Sequence, residues 1–482
     1  MAILLEPGFK VDVSADAQGP SIRTINQRLN DFSHFPHGGQ NEAMVQNVLD
    51  QMGPGFVSIV KVPAMTSVYQ CATGTYSEYH RSLLQNRIDD IHSLGGEPIL
   101  DFSGTPECMV RQPSGILEAI FGDTPDQRPP ENAEEYGNAI EYIIRLVTED
   151  RIHQGKRPVK YFYPWVEPDF YIWYKGFWPE FINKQFIPFG LALQRVENDT
   201  GLDLTLFTAA TSSMVPSFFK GPGNIDYELI ESMVTAAEVN DFDLEGILWN
   251  YYASYPFIGK GRSEFEFGDP IDSMVNFFLK RTNSKTSAAL YFEQISTLKT
   301  LYPDKKLGLA EWSILVGGED ERTHNHEGGS LIASGLSAMQ EAGLDFANVF
   351  TLYFKHEPTN RLHALLNLQG IGDQRWNALD FWSQLGEEQL KIRAGGHAPD
   401  HDVWSTVTRH TNGDISIMIA NHRGKPRHER YDLAIRLENF NQFGSTVYSQ
   451  WIEPGQAPYG PPEVKWLNAK NNSGGGLPLM LL

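Results

Sequence analysis

From about residue 20 to residue 390 the chain repeats one pattern, a short run rich in β-branched and aromatic residues followed by a longer amphipathic run. No other feature limits the fold as strongly, because each strand and the helix after it must bury complementary faces. Eight such units can be counted. SIRTINQRL (21–29) reads as the first strand and FVSIVKVP (56–63) as the second. EPILDFSGTP (97–106), VKYFYPWVE (159–167) and DLTLFTAA (203–210) follow, then LEGILWNYY (244–252), KLGLAEWSIL (306–315) and ANVFTLYFK (347–355). Between them lie helical runs such as NAEEYGNAIEYIIRLVTED (132–150), whose Ala139, Ile140, Ile143, Leu146 and Val147 form one stripe. Strands this apolar are buried on both faces, so the pattern predicts a parallel (β/α)8 barrel over residues 20–395. A doubly wound open sheet is the other architecture compatible with it.

Near residue 400 the period changes to two. DVWSTVTRH, DISIMIANHR and HERYDLAIRLENF alternate apolar and polar residues and are broken by NGD and GKP turn signals. Residues 396–482 therefore predict an accessory antiparallel β-sandwich. PGFKVDVSAD, within residues 1–19, reads as a further strand of that sandwich, since chain termini often lie close together. The tail NNSGGGLPLMLL reads as one more edge strand.

Composition narrows the function. The 482 residues are 41% hydrophobic and 21% charged, ordinary values for a folded protein. A formal net charge of −21, spread along the chain, argues against nucleic acid as a partner, which needs clustered Lys and Arg. No long uncharged apolar stretch predicts a membrane span. MAILLEPGFKVDV lacks the basic n-region and apolar run of a signal peptide, and localisation is left open. Cys71 and Cys108 are too few for a disulfide framework or a zinc-type cysteine pair, so none is expected. Oligomeric state is not specified.

In a (β/α)8 barrel the chemistry sits at the C-terminal strand ends. Two glutamates stand there: Glu167 closing the fourth strand run and Glu311 in the seventh. Hydrolysis of a glycosidic bond needs one carboxyl group to protonate the departing oxygen and a second to attack the anomeric carbon or activate water. Tyr161, Tyr163 and Trp165 around Glu167 would desolvate it and keep it protonated, which suits the acid/base role. A lone glutamate at a strand end is more often a rim or salt-bridged residue; the pairing carries the inference.

With these residues in place, the chain resembles the clan A glycoside hydrolases, and within the clan glycoside hydrolase family 39, the β-xylosidase and α-iduronidase family. EPDF after the fourth strand is similar to the family's acid/base motif and LGLAEWSI to its nucleophile motif. LWNYYASYP and LLNLQGIGDQRWNALDFWSQLG resemble the segments at the sixth and eighth strands. The resemblance implies a retaining double displacement, with Glu167 as acid/base, Glu311 as nucleophile, and Tyr252 near the nucleophile. It also implies carboxyl groups about 5–5.5 Å apart. One departure is specific: Val166 stands where most of the clan has an asparagine for the sugar 2-hydroxyl, and Asn250 stands where the family has a histidine. Both point to an atypical sugar beside the cleaved bond, one modified at its 2-position.

Sugar-stacking candidates are the aromatics at strand ends, Trp165, Tyr252 and Trp312 first among them, with Asn250 as a polar contact. The loop GGEDERTHNHEGG carries Arg322, His324 and His326, and Lys355 and His356 follow the eighth strand; together they could bind a sulfated or uronic sugar. A solvated loop is the plainer reading. His324 and His326 also spell HxH, but in metal-dependent hydrolases of this fold such a pair comes from an early strand, so no metal and no cofactor is expected. The partner expected is an oligo- or polysaccharide. Two alternatives stay open: a carbohydrate-binding barrel that has lost catalysis, and a metal-dependent barrel hydrolase.

Overall fold

The computed structural model describes residues 9–32, 40–52, 56–112, 124–171, 173–213, 216, 224–253, 287–314, 324–353, 364–392, 403–422, 431–439, 446–451, 457–460, 463–468 and 479–481. Eight parallel strands, β3 (Asp31–Phe32), β4 (Ile59–Pro63), β5 (Glu97–Asp101), β6 (Tyr161–Tyr163), β7 (Thr205–Leu206), β8 (Gly246–Ala253), β9 (Lys306–Ile314) and β10 (Phe346–Val349), lie in the order β7-β6-β5-β4-β3-β10-β9-β8. The two ends of that sheet meet through the parallel bridges Phe207↔Gly246 and Thr211↔Trp249, so the sheet closes on itself. The fold is a (β/α)8 barrel.

The barrel is a packed core with a floor. Ile59, Ile99, Phe207, Leu248, Ala310 and Phe346 converge inside it. Phe207 and Phe346 meet edge to face with centroids 5.5 Å apart. Their rings fit because a glycine lies beside each: a Cβ at Gly246 would stand 2.2 Å from Phe207, and one at Gly308 would stand 2.3 Å from Phe346. Outside the strands, helices such as Ala133–Val147 press Ile140, Ile143, Leu146 and Val147 into a second apolar layer. Asn132 caps that helix by accepting from the Glu134 and Glu135 N–H groups.

Strand β9 carries a bulge. On one side Trp249 pairs with Leu309 but Asn250 with Glu311; on the other Ala347 pairs with Leu309 but Val349 with Trp312. The extra residue lets Ala310 and Glu311 both face inward, where strict alternation would send one of them to the helix layer. Leu309 and Trp312 on either side pack outward.

The terminal segments form two sheets over a shared core. One is β1 (Phe9–Asp16), β14 (Tyr431–Glu438) and β17 (Leu479–Leu481); the other is β2 (Ser21–Thr24), β11 (Glu388–Leu390), β12 (Val403–Arg409) and β13 (Ile415–Asn421). Val13, Ala15 and Ile435 from the first meet Leu390 and Val407 from the second. A hairpin of β15 (Thr446–Trp451) and β16 (Glu463–Asn468) completes the strands. Between module and barrel runs the helix His326–Ala342, buried along most of its length, whose small residues touch both sides. Ser337 accepts from the Thr406 hydroxyl at 3.0 Å and Ala338 packs on Trp404.

Three expectations are corrected. SIRTINQRL is not the first barrel strand: Ser21–Thr24 pairs antiparallel with β11, Gln27–Asn30 is a 3-10 turn capped by Asn26, and the barrel begins at Asp31. A two-residue strand is too short to leave a periodic signal, while SIRT, mostly exposed, lies at the edge of the accessory sheet. The accessory strands are not all antiparallel, since β1 and β14 run parallel from Phe9↔Tyr431 to Asp16↔Glu438. These two strands are far apart in the chain, so no hairpin sets their relative direction. Finally, Cys71 and Cys108 are joined in a disulfide with Cα atoms 6.2 Å apart. A bridge needs only two loops brought together, and the loops after β4 and β5 are neighbours on the same barrel face. No described helix is long and apolar enough to cross a membrane.

Candidate active site

Glu167 leaves the end of β6 with φ +50°, the left-handed region that a β-unbranched residue enters only when its surroundings hold it there. Its N–H donates to the Ala210 carbonyl at 2.7 Å, and Val166 bridges to Ala210, so the strand ends are locked across β6 and β7. The side chain is 7% exposed. Burial is the largest influence on it and the Glu311 charge adds to it; the Asn250 amide, Lys61 and the Trp173 indole oppose them, leaving Glu167 pushed up to about 7.

Glu311, 8% exposed, is turned into the barrel by the β9 bulge and is held from two sides. The Lys61 ammonium from β4 pairs with its Oε1, and the Tyr252 hydroxyl from β8 donates to its Oε2. Burial alone would lower Lys61, but the charges of Glu311 and Asp101 outweigh it and raise the ammonium above its ordinary range. Burial and the Glu311 charge push the Tyr252 phenol well up, so it stays a donor. Asn250, fully buried on β8, donates its Nδ2 to Glu167 Oε1 at 3.1 Å and is the register partner of Glu311. Among the described residues its Oδ1 finds no hydrogen-bond partner.

Lys61 also reaches Asp101 Oδ2 at 3.3 Å, and Asp101 Oδ1 accepts from the Ser103 N–H and hydroxyl at 2.9 and 2.6 Å. Ser103 in turn accepts from the Val166 N–H at 2.8 Å. A chain of contacts thus runs from Glu311 through Lys61, Asp101 and Ser103 to the residue before Glu167. Lys61, Asp101 and Ser103 were not singled out from sequence, although a lysine inside FVSIVKVP and an aspartate closing EPILD are charges in strands that the barrel buries. The Val166 side chain packs against the apolar barrel floor.

The remaining candidates divide. Glu167, Glu311, Asn250 and Tyr252 come together at the C-terminal strand ends. Trp165 and Trp312 do not line the cleft: they are 1% and 0% exposed. Trp165 packs edge to face on Tyr174 at 5.4 Å and Trp312 on Tyr291 at 5.6 Å, leaving neither a face for a sugar. His324 is 8% exposed and faces Asp373, with Nδ1 2.7 Å from Oδ2, while its ring stacks on Tyr459. Buried Arg375 bonds the same aspartate and the Ser313 hydroxyl, so His324 belongs to a structural cluster behind β9. Arg322, Lys355 and His356 lie outside the described residues. Among the described residues no group of three or more His, Cys, Asp or Glu could hold a metal ion.

The fold is similar to those of solved glycoside hydrolases, including members of families 39 and 51. A GH39 β-xylosidase from Caulobacter crescentus matches with a TM-score of 0.63 at 12% identity, over 89% of this chain and 84% of that one. A GH39 enzyme from Xanthomonas axonopodis pv. citri matches at 0.64 and 10% identity, over 92% and 84%. A family 51 α-L-arabinofuranosidase from Bifidobacterium longum matches at 0.60 and 13% identity, over 98% of each chain. At such identities the likeness is one of fold. No protein-family model matches the sequence, and no curated protein matches it.

Proposed function

We propose that the chain is a retaining β-glycoside hydrolase acting on a β-linked oligo- or polysaccharide. The observation that carries this reading is the asymmetry of two buried carboxyl groups at facing strand ends. Glu311 has a cation and a phenol donor on its two oxygens, which hold and orient it as the nucleophile. Glu167 is desolvated and pushed up to about 7, which favours the protonated acid. In this scheme Glu167 protonates the leaving oxygen while Glu311 attacks the anomeric carbon; Glu167 then takes a proton from water as the glycosyl ester is hydrolysed. The two-sheet module is proposed as an accessory domain.

The sugar beside the cleaved bond meets apolar Val166 instead of an amide, which supports a residue modified at the 2-position. The Asn250 Oδ1, without a hydrogen-bond partner among the described residues, offers it an acceptor. The reading of an anionic sugar depends on Arg322 and Lys355, which lie outside the described residues, since His324 is already engaged by Asp373. The Val166 substitution also favours the second reading, a carbohydrate-binding barrel without catalysis. Product NMR on a panel of β-linked neutral, sulfated and uronic oligosaccharides tests both. Initial release of the β-anomer, abolished in Glu311→Ala, is expected. Initial release of the α-anomer overturns the retaining mechanism, and binding without turnover favours the second reading.

A further inference from the structure

Four large aromatics among the described residues are strongly exposed, and three of them, Trp173 (47%), Phe177 (72%) and Trp178 (41%), fall within six residues just after Glu167. Scattered exposed apolar residues need no explanation, but three aromatics gathered on one segment do. The segment is not loose. Phe170, Tyr174 and Phe181 are buried beneath it, with Tyr174 edge to face on Phe181 at 5.6 Å. The Trp173 N–H donates to the Phe170 carbonyl at 2.9 Å, and the Trp173 carbonyl accepts from the Trp165 indole at 3.3 Å. The Lys175 N–H donates to Gln127 at 2.8 Å, and the Lys175 carbonyl accepts from Arg111 at 3.0 Å. Tyr174, Lys175 and Phe181 of this pinned loop are thus anchored inward, and Trp173, Phe177 and Trp178 are presented outward.

The loop is also continuous with the site, because the Trp173 indole hydrogen-bonds the Glu167 carboxyl group. An acid/base residue stands beside the oxygen it protonates, so whatever departs with that oxygen lies on its side. We infer that Trp173, Phe177 and Trp178 form a ridge on which sugars of the leaving group stack, so that the substrate is an oligosaccharide extended by at least two units beyond the cleaved bond. This rests on Glu167 being the acid/base residue. Flat aromatic faces suit the axial C–H faces of β-linked sugars, and their preorganisation lowers the ordering cost of binding.

The test compares Phe177→Ala/Trp178→Ala with the unsubstituted chain, after circular dichroism and melting confirm that both fold. Aryl β-glycosides and the matching tri- to pentasaccharides are the two substrate sets. The double substitution is expected to lower kcat/KM for the oligosaccharide at least about tenfold more than for the aryl glycoside. Equal losses on both, or none, overturn the ridge. If no saccharide is turned over, the acid/base reading fails by itself, and the ridge is judged by tryptophan fluorescence titration with the pentasaccharide: binding lost in the variant supports it, and no binding by the unsubstituted chain overturns it. Dimerisation of the unsubstituted chain that the double substitution abolishes, seen by light scattering, overturns it in favour of a self-contact.

Discussion

Lys61 touches two carboxylates and lies in the field of a third, and the charge state of the whole site turns on it. Removing one member of a buried pair leaves the other charged and unmatched, so Lys61→Ala is expected to cost about 3–5 kcal/mol in urea unfolding. Glu167, proposed as the acid/base residue, has a separate signature. Glu167 is pushed up to about 7, so the proton it must give is present below that pH and lost above it, and kcat/KM is expected to fall as pH rises through about 7. The Asn250 amide favours the ionised form of Glu167; Asn250→Ala therefore moves the same limb to higher pH, and a pH–rate profile reads it directly. At this scale the sequence was legible where chemistry and position coincide. Glu167 and Glu311 announce themselves as carboxylates at strand ends, whereas Trp165 and Trp312 mislead because a neighbour of an inward-facing strand residue usually faces outward. Lys61 looked like one polar residue in an apolar run, and only the closed barrel gives it two partners.

Among elements, the β9 bulge does most to set the geometry of the candidate site. It adds no hydrophobic area, yet it aims Glu311, and a period-two reading of LGLAEWSI cannot reveal an extra residue that becomes visible only against two neighbouring strands. Helices are legible from their stripes: the run NAEEYGNAIEYIIRLVTED (132–150) contains the helix Ala133–Val147. The barrel's first strand was displaced because β3 spans only Asp31–Phe32. The helix His326–Ala342 shows why its sequence is rich in Ser, Ala and Gly, since it is pressed between barrel and accessory sheet. Ser337→Leu adds volume to a contact with no room and breaks the Thr406 hydrogen bond. A stability loss of about 2–4 kcal/mol is expected, seen as a lower Tm by calorimetry.

On the scale of the molecule, alternation of strand and helix over more than 300 residues was enough to identify the barrel, because few architectures bury eight apolar strands on both faces. The sandwich was recognisable from its change of period, but not the pairing of β1 with β14, which unites the first and last parts of the chain. The Cys71–Cys108 bridge spans 37 residues and ties together the loops after β4 and β5, the strands that carry Lys61 and Asp101. Loop-closure entropy for such a span is worth about 3–4 kcal/mol, so dithiothreitol is expected to lower Tm in a melting experiment. Both cysteines are solvent-facing, which leaves the bridge open to small thiols. The same bond is also a record of biosynthesis. Chain recovered from a glutathione-rich cytosol will give two titratable thiols and a looser rim to the barrel, whereas chain that has passed through an oxidising compartment will give none, so the finished protein depends on where the cell makes it.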